Sequence, residues 1–246
     1  MQLIPSIDLK AGACVRLLHG DFAHETRYEL TPQALLAKYR DLGAAWLHIV
    51  DLDGAKTGSL DNRALISQLA AAQSVKLQVG GGLRNTAAVT QTLDLGVARV
   101  AIGSAAVTHV DQVRAWLDHF GPERITLAFD VRLDGGGIPR VTTHGWQRQS
   151  QLTLWGALEQ FAGSPLTHVL CTDVSRDGAL SGPNIDLYRE AAQRHPLIQW
   201  QASGGVRDAH DLRALAAAGA AAAVSGKALL EGLIAAEDLQ PFLPNA

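Results

Sequence analysis

An α/β chain closed into a (β/α)8 TIM barrel, built from two homologous half-barrels, is the fold this sequence predicts. Three observations carry that prediction. Short apolar runs alternate with amphipathic helical stretches, the second half of the chain repeats the first, and 246 residues match the ordinary size of such a barrel. The repeat shows when "QVGGGLRNTAAVTQTLDLGVARVAIGSAAV" (78–107) is laid over "QASGGVRDAHDLRALAAAGAAAAVSGKALL" (201–230) without a gap, residue 201 falling 123 after residue 78. Gly81, Gly82, Arg84, Gly96 and Gly103 then meet Gly204, Gly205, Arg207, Gly219 and Gly226. "PSID" ending at Asp8 parallels "LAFD" ending at Asp130, 122 residues on, and His48 with His168 and Asp53 with Asp173 pair at an offset of 120. The halves are expected at approximately 1–122 and 123–246. No Pro/Ser-rich or charged linker breaks the midpoint, so a single domain is expected.

Eight strands follow in order at 3–8, 46–51, 75–80, 98–103, 125–130, 168–172, 198–203 and 221–226. Each is a nearly continuous apolar run, as parallel strands covered on both faces require. Thr31 before Pro32 marks one helix start, a capping hydroxyl followed by the proline favoured in the first turn. Asn85 and Asp208 cap the helices after the glycine runs, and Asn184 caps the one after "LCTDVSRDGALSGPN" (170–184). A doubly wound open sheet is the structural rival. Two equal halves of four units close more naturally into a ring.

Composition removes several function classes. The chain is 47% hydrophobic and 18% charged, with a net charge of −3, which argues against a nucleic-acid or membrane surface built on bulk basicity. No apolar run is long enough to cross a bilayer, and the N-terminus lacks the basic and apolar regions of a signal peptide. A cytoplasmic monomer is expected. Cys14 and Cys171 stand far apart, in no redox or metal spacing, and read as buried thiols in a reducing compartment. No His/Cys/carboxylate set at metal spacing is present, so neither a metal nor an organic cofactor is expected.

Active sites of such barrels use the C-terminal ends of the strands and the loops that follow. "GGGLRN" follows the third strand and "SGGVRD" the seventh; "GSAAV" follows the fourth and "GKALL" the eighth. Glycine lets the backbone approach an anion, and the following helix start offers free N–H groups. One such turn is often only a tight corner. The same two turns occurring twice predict two phosphate sites, on Gly81, Gly82, Gly103 and Ser104 and on Gly204, Gly205, Gly226 and Lys227, for one small ligand carrying a phosphate at each end. Arg84 and Lys227 could add charge, whereas Arg207 reads as a helix-start residue or a salt bridge. Asp8 and Asp130 end strands one and five, opposite each other in the ring, where carboxyl groups can act as general acid and base. Thr172 ends the sixth strand and could hydrogen-bond the reacting centre. Trp146 could stack on a planar ring. His48 and His168, inside strands, read as wall residues.

Those residues sit in motifs that together resemble the HisA family of histidine biosynthesis, the phosphoribosylformimino aminoimidazole carboxamide ribotide isomerases. The resemblance spans the chain through "IPSIDLKAGACVRL", "HGDF", "HIVDLDGAKTG", "VGGGLR", "IGSAA", "FDVR", "THGW", "CTDVSRDGALSGPN", "ASGGVRD" and "VSGKAL". It implies an Amadori rearrangement of an aminoaldose to an aminoketose, without metal or organic cofactor, with Asp8 as proton acceptor and Asp130 as proton donor. It also implies that Thr172 serves the reacting centre and that Trp146 stacks on the imidazole carboxamide. Arg84, Gly103, Ser104, Asp177, Gly178, Ser203, Gly205, Gly226 and Lys227 become substrate contacts, Lys227 standing where the family commonly has arginine. Three alternatives stay open: a bifunctional isomerase that also takes phosphoribosyl anthranilate, the sister cyclase of imidazole glycerol phosphate synthase, and a non-catalytic phosphosugar-binding barrel.

Overall fold

In the computed structural model, residues 1–18, 21–58, 61–72, 75–143 and 148–244 are described. β1 (Gln2–Lys10) runs into an antiparallel pair, β2 (Ala13–Leu18) and β3 (Asp21–Arg27), before α1 (Pro32–Asp41). β4 (Trp46–Asp51) leads to α2 (Leu52–Thr57) and α3 (Arg63–Ala71), β5 (Lys76–Gly80) to α4 (Thr86–Asp94), and β6 (Arg99–Ile102) to α5 (Ser104–Thr108) and α6 (Val110–Phe120). The second half begins alike. β7 (Ile125–Leu133) extends into antiparallel β8 (Pro139–Thr143) and β9 (Arg148–Thr153), then α7 (Leu154–Glu159). β10 (His168–Asp173) leads to α8 (Ile185–Arg194), β11 (Gln199–Ser203) to α9 (Ala209–Ala217), and β12 (Ala222–Ser225) to α10 (Lys227–Leu230) and α11 (Ala236–Leu239).

Eight parallel strands close the ring in the order β1, β4, β5, β6, β7, β10, β11, β12 and back to β1. The chain is therefore a (β/α)8 barrel. Each expected strand lies within a residue or two of its observed bounds except the fifth, which runs three residues further; the first and fifth both lead into the hairpins. The expected caps form: Thr31, Asn85, Asn184 and Asp208 accept from the amides of Ala34, Ala88, Leu187 and Asp211. No helix among the described residues is long and apolar enough to cross a membrane.

Strand alternation divides the side chains into two layers. Leu3, Ile7, Leu47, Ile49, Leu127, Phe129 and Trp200 join the large core beneath the helices. Ile4, Leu170, Ala222 and Val224 form a separate cluster inside the ring with Trp46 and Ala128. Inside, polar side chains satisfy one another. Gln78 and Gln201 exchange amide hydrogen bonds at 2.8 and 3.1 Å, Thr126 Oγ1 donates to Gln78 at 3.1 Å, and Gln78 Nε2 donates to His48 Nδ1 at 3.1 Å. Gln78 and Gln201 are repeat partners, 123 residues apart, so the two halves meet through equivalent residues at the barrel axis.

The register corrects one part of the repeat. Trp46 pairs with Lys76 and His168 with Gln199, and Gln199 falls 123 after Lys76. The counterpart of His168 is thus Trp46, 122 residues away, and not His48. Likewise Asp51, not Asp53, matches Asp173. Asp51 accepts from Asn62 Nδ2 at 2.6 Å, and Asp173 from Asn184 Nδ2 at 2.8 Å. A uniform shift of 122–123 therefore runs through both halves. The loops from Asp51 to Asn62 and from Asp173 to Asn184 are equally long but carry their Asp-Gly pairs at different places, 53–54 and 177–178.

Candidate active site

Asp8 and Asp130 lie near the C-terminal ends of β1 and β7, with three strands between them in either direction around the ring. Alternation puts Asp8 on the face of Ile4 and Asp130 on the face of Ala128, both of the inner cluster, so the two carboxylates face the lumen from opposed walls. Thr172 stands beside Asp130 in the register and beside Ser203 on its other side. The structure thus brings Asp130, Thr172 and Ser203 into one row. Asp8 and Thr172 are buried and Asp130 half-buried.

Arg16 of β2 joins this group, and the sequence reading passed it over. Its Nη1 lies 3.3 Å from Asp8 Oδ2 and its Nη2 2.5 Å from Asp177 Oδ1, bridging the two carboxylates. Its buried Nε has no partner among the described residues. A signal was present: one charge inside the apolar run "ACVRLL" must find buried partners when that run is folded into a sheet. Burial raises the Asp8 carboxyl to about 6, and the Arg16 guanidinium opposes that rise without cancelling it. Burial, reinforced by Arg16, lowers His48 to about 4, so this lumen histidine is a neutral hydrogen-bonding residue at neutral pH. His168 is buried as well, between Arg99 and Glu123 at the other end of the barrel.

The glycine corners are built alike. Gly81 has φ +107°, and a Cβ there would fall 2.2 Å from Asp51 O; Gly204 has φ +97°, and its Cβ would fall 2.7 Å from Asp173 O. In both halves the turn after a strand lies directly on the backbone of the preceding strand's end, an approach only glycine permits. In the second half, Ser203, Gly205, Gly226, Lys227, Asp177 and Arg16 help wall a cleft. Lys227 Nζ donates to Gly178 O at 3.2 Å, tying the loop after β10 to this corner. In the first half Gly103 precedes α5 and exposed Ser104 stands where the second half has Lys227.

Arg84 and Arg207 are both held by neighbours, Arg84 by a neutral carbonyl and Arg207 by a carboxylate. Arg84 Nη2 donates to Ala55 O at 2.7 Å and lies against Gly58, while Arg207 forms a two-point pair with Asp211 at 2.9 Å. The salt-bridge reading of Arg207 is the one observed. Asp208, His210 and Asp211 approach one another within 4.8 Å, but Asp208 caps α9 and Asp211 is paired with Arg207, so both carboxylates are already engaged. Both cysteines are free and buried, with Cys14 raised to about 12 by burial and by Asp8. Trp146 lies outside the described residues.

Residues 2–235 match the family described as "Histidine biosynthesis protein". The chain is 46% identical over 231 residues to a protein of Alteromonas mediterranea, covering 94% of each chain. It is 46% identical over 234 residues to one of Xylella fastidiosa, covering 95% of this chain and 87% of the relative, and 43% identical over 237 residues to one of Photobacterium profundum, covering 96% and 97%. All three are named 1-(5-phosphoribosyl)-5-((5-phosphoribosylamino)methylideneamino)imidazole-4-carboxamide isomerase.

Proposed function

The chain belongs to the histidine biosynthesis protein family, and from that premise we propose that Asp8 and Asp130 carry its proton transfers. The protein is an aldose–ketose isomerase of L-histidine biosynthesis. It turns the aminoaldose ProFAR into the aminoketose PRFAR by an Amadori rearrangement. Asp130, as acid, protonates the furanose ring oxygen and opens the sugar to a Schiff base. Asp8, as base, removes the C2 proton, and the resulting enolamine tautomerises to the ketone. Thr172, beside Asp130, hydrogen-bonds the reacting centre, and Trp146 stacks on the imidazole carboxamide. The two phosphates rest in the glycine corners, one on Gly81, Gly82, Gly103 and Ser104, the other on Ser203, Gly204, Gly205, Gly226 and Lys227. Arg84, Asp177 and Gly178 complete the contacts. The chain works as one barrel domain of two halves, 1–122 and 123–246.

One observation carries this reading: two carboxylates face each other across a lumen whose axis is marked by the Gln78–Gln201 pair, between repeated backbone corners. The Asp8 carboxyl, raised to about 6, is ionised at neutral pH yet basic enough to accept a carbon-bound proton. Asp8→Asn is expected to keep ProFAR binding while kcat falls by roughly three or more orders of magnitude, as loss of a group acting only in the transition state requires. Stopped assays with purified protein and equilibrium titration of ProFAR check both halves of that statement. Near-normal turnover would remove Asp8 from the base role.

A further inference from the structure

Tyr188 of α8 is wholly buried, and its hydroxyl reaches the rim where β10 and β11 end. That oxygen lies 2.7 Å from Ser203 O and 3.0 Å from Cys171 O, and it accepts from the Ser203 N–H at 3.1 Å. A phenol has one proton to give, and the nearer carbonyl, Ser203 O, takes it. Burial raises the phenol's pKa, so it stays a donor throughout the working pH range. The N–H and the C=O of Ser203 thus meet one hydroxyl, as they would meet the backbone of a neighbouring strand.

The consequence lies in the next amide. The peptide between Ser203 and Gly204 is trans, and a planar trans peptide holds its C=O and N–H on opposite sides. Fixing the Ser203 carbonyl on the β10 side turns the Gly204 N–H away from β10 and towards β12. That is the side on which Ser225, Gly226 and Lys227 wall the cleft. We propose that Tyr188 is a positioning residue which aims the Gly204 amide at the anionic end of the substrate, making the β11–β12 corner the better-ordered of the two anion anchors.

The matching position of the first half carries no hydroxyl. Counting four residues from the equivalent caps Asn62 and Asn184 reaches Ile66 and Tyr188, and Ile66 has no hydroxyl. Ser104 against Lys227 adds to the same asymmetry. The proposal rests on the isomerase reading, and the test separates the two. Tyr188→Phe should raise both KM for ProFAR and Ki for inorganic phosphate by about five- to tenfold, with kcat within about twofold, the effect of one lost hydrogen bond on binding. KM and Ki do not depend on the fraction of folded enzyme, so lost stability alone would leave them unchanged. Tyr39→Phe is the control: that hydroxyl is buried with no partner among the described residues, and its removal should leave KM and Ki as they were. Unchanged KM and Ki in Tyr188→Phe, or a fall in kcat alone, overturns the proposal. A wild-type protein inactive on ProFAR would overturn the isomerase reading instead. Titrating inorganic phosphate into 15N-labelled wild-type protein needs no variant. The Gly204 amide signal should move, and a stationary signal would place that N–H elsewhere and sink the idea.

Discussion

Asp8 is held between two opposing influences, burial favouring its neutral form and Arg16 favouring its charge, and the balance leaves it at about 6 against an ordinary 3.8. Since a general base must be ionised to act, kcat/KM should fall as pH drops through about 6. Arg16→Met should carry that acidic limb upward; a limb that stays put would show that Arg16 does not set it. The same shift has a stability consequence of fixed sign. The folded state holds the proton more tightly than the unfolded chain, so ionising Asp8 opposes folding, by about 3 kcal/mol once pH exceeds both values. Asp8→Asn should therefore melt higher than wild type at pH 8, with the gap closing between pH 6 and pH 4. Thermal melts across that range check it, and a gap independent of pH would refute the buried-charge account. Asp8 itself was legible in the sequence because its repeat partner Asp130 singles it out. Arg16 was not, because no equivalent marks it and its role exists only once β2 folds back along β1.

The eight barrel strands were readable because a strand covered on both faces is apolar throughout, a property each segment carries alone. The four hairpin strands were not. "DFAHETR" and "RQSQLT" are polar, and what makes them strands is pairing with β2 and β8, which themselves fold back on the ends of β1 and β7. The glycine corners combine both situations: their sequence flagged them, but the reason for the glycines is a contact with another strand. Gly81→Ala would drive a methyl to 2.2 Å from Asp51 O at φ +107°. Gly163, at φ +78°, has nothing within 4 Å of its would-be Cβ. Gly163→Ala should cost roughly 1–2 kcal/mol, the left-handed backbone penalty alone. Gly81→Ala should cost about 3 kcal/mol or more, since main chain must shift as well. Urea unfolding of the two variants measures the difference, and equal losses would show that the Asp51 contact relaxes freely.

At the scale of the whole barrel, the inner wall is polar along its middle, and that middle is where the halves join. Gln78 and Gln201 are buried, exchange two hydrogen bonds and share Thr126 as a third member. Within its own half Gln78 meets His48 and Gln201 meets Thr126, and the closed ring adds the amide–amide pair between them. Sequence comparison could align the two positions but not reveal that they touch, because a repeat offset says which residues are equivalent and not which meet at the symmetry axis. Buried amides make such a junction selective: removing one strips the other of its amide partner and leaves part of its hydrogen-bonding capacity unmet, at roughly 1–3 kcal/mol, whereas removing both leaves an apolar contact. Gln78→Leu and Gln201→Leu should each lower unfolding free energy by about 2 kcal/mol, and the double variant should lose clearly less than the sum, with a coupling of about 1 kcal/mol or more. Activity should fall in the single variants only as far as the carboxylates above lose their spacing, so that kcat recovers alongside stability in the double variant. Strictly additive losses in urea unfolding would mean that the two amides act independently and that the halves are held together by the strand ladders β6–β7 and β12–β1 alone.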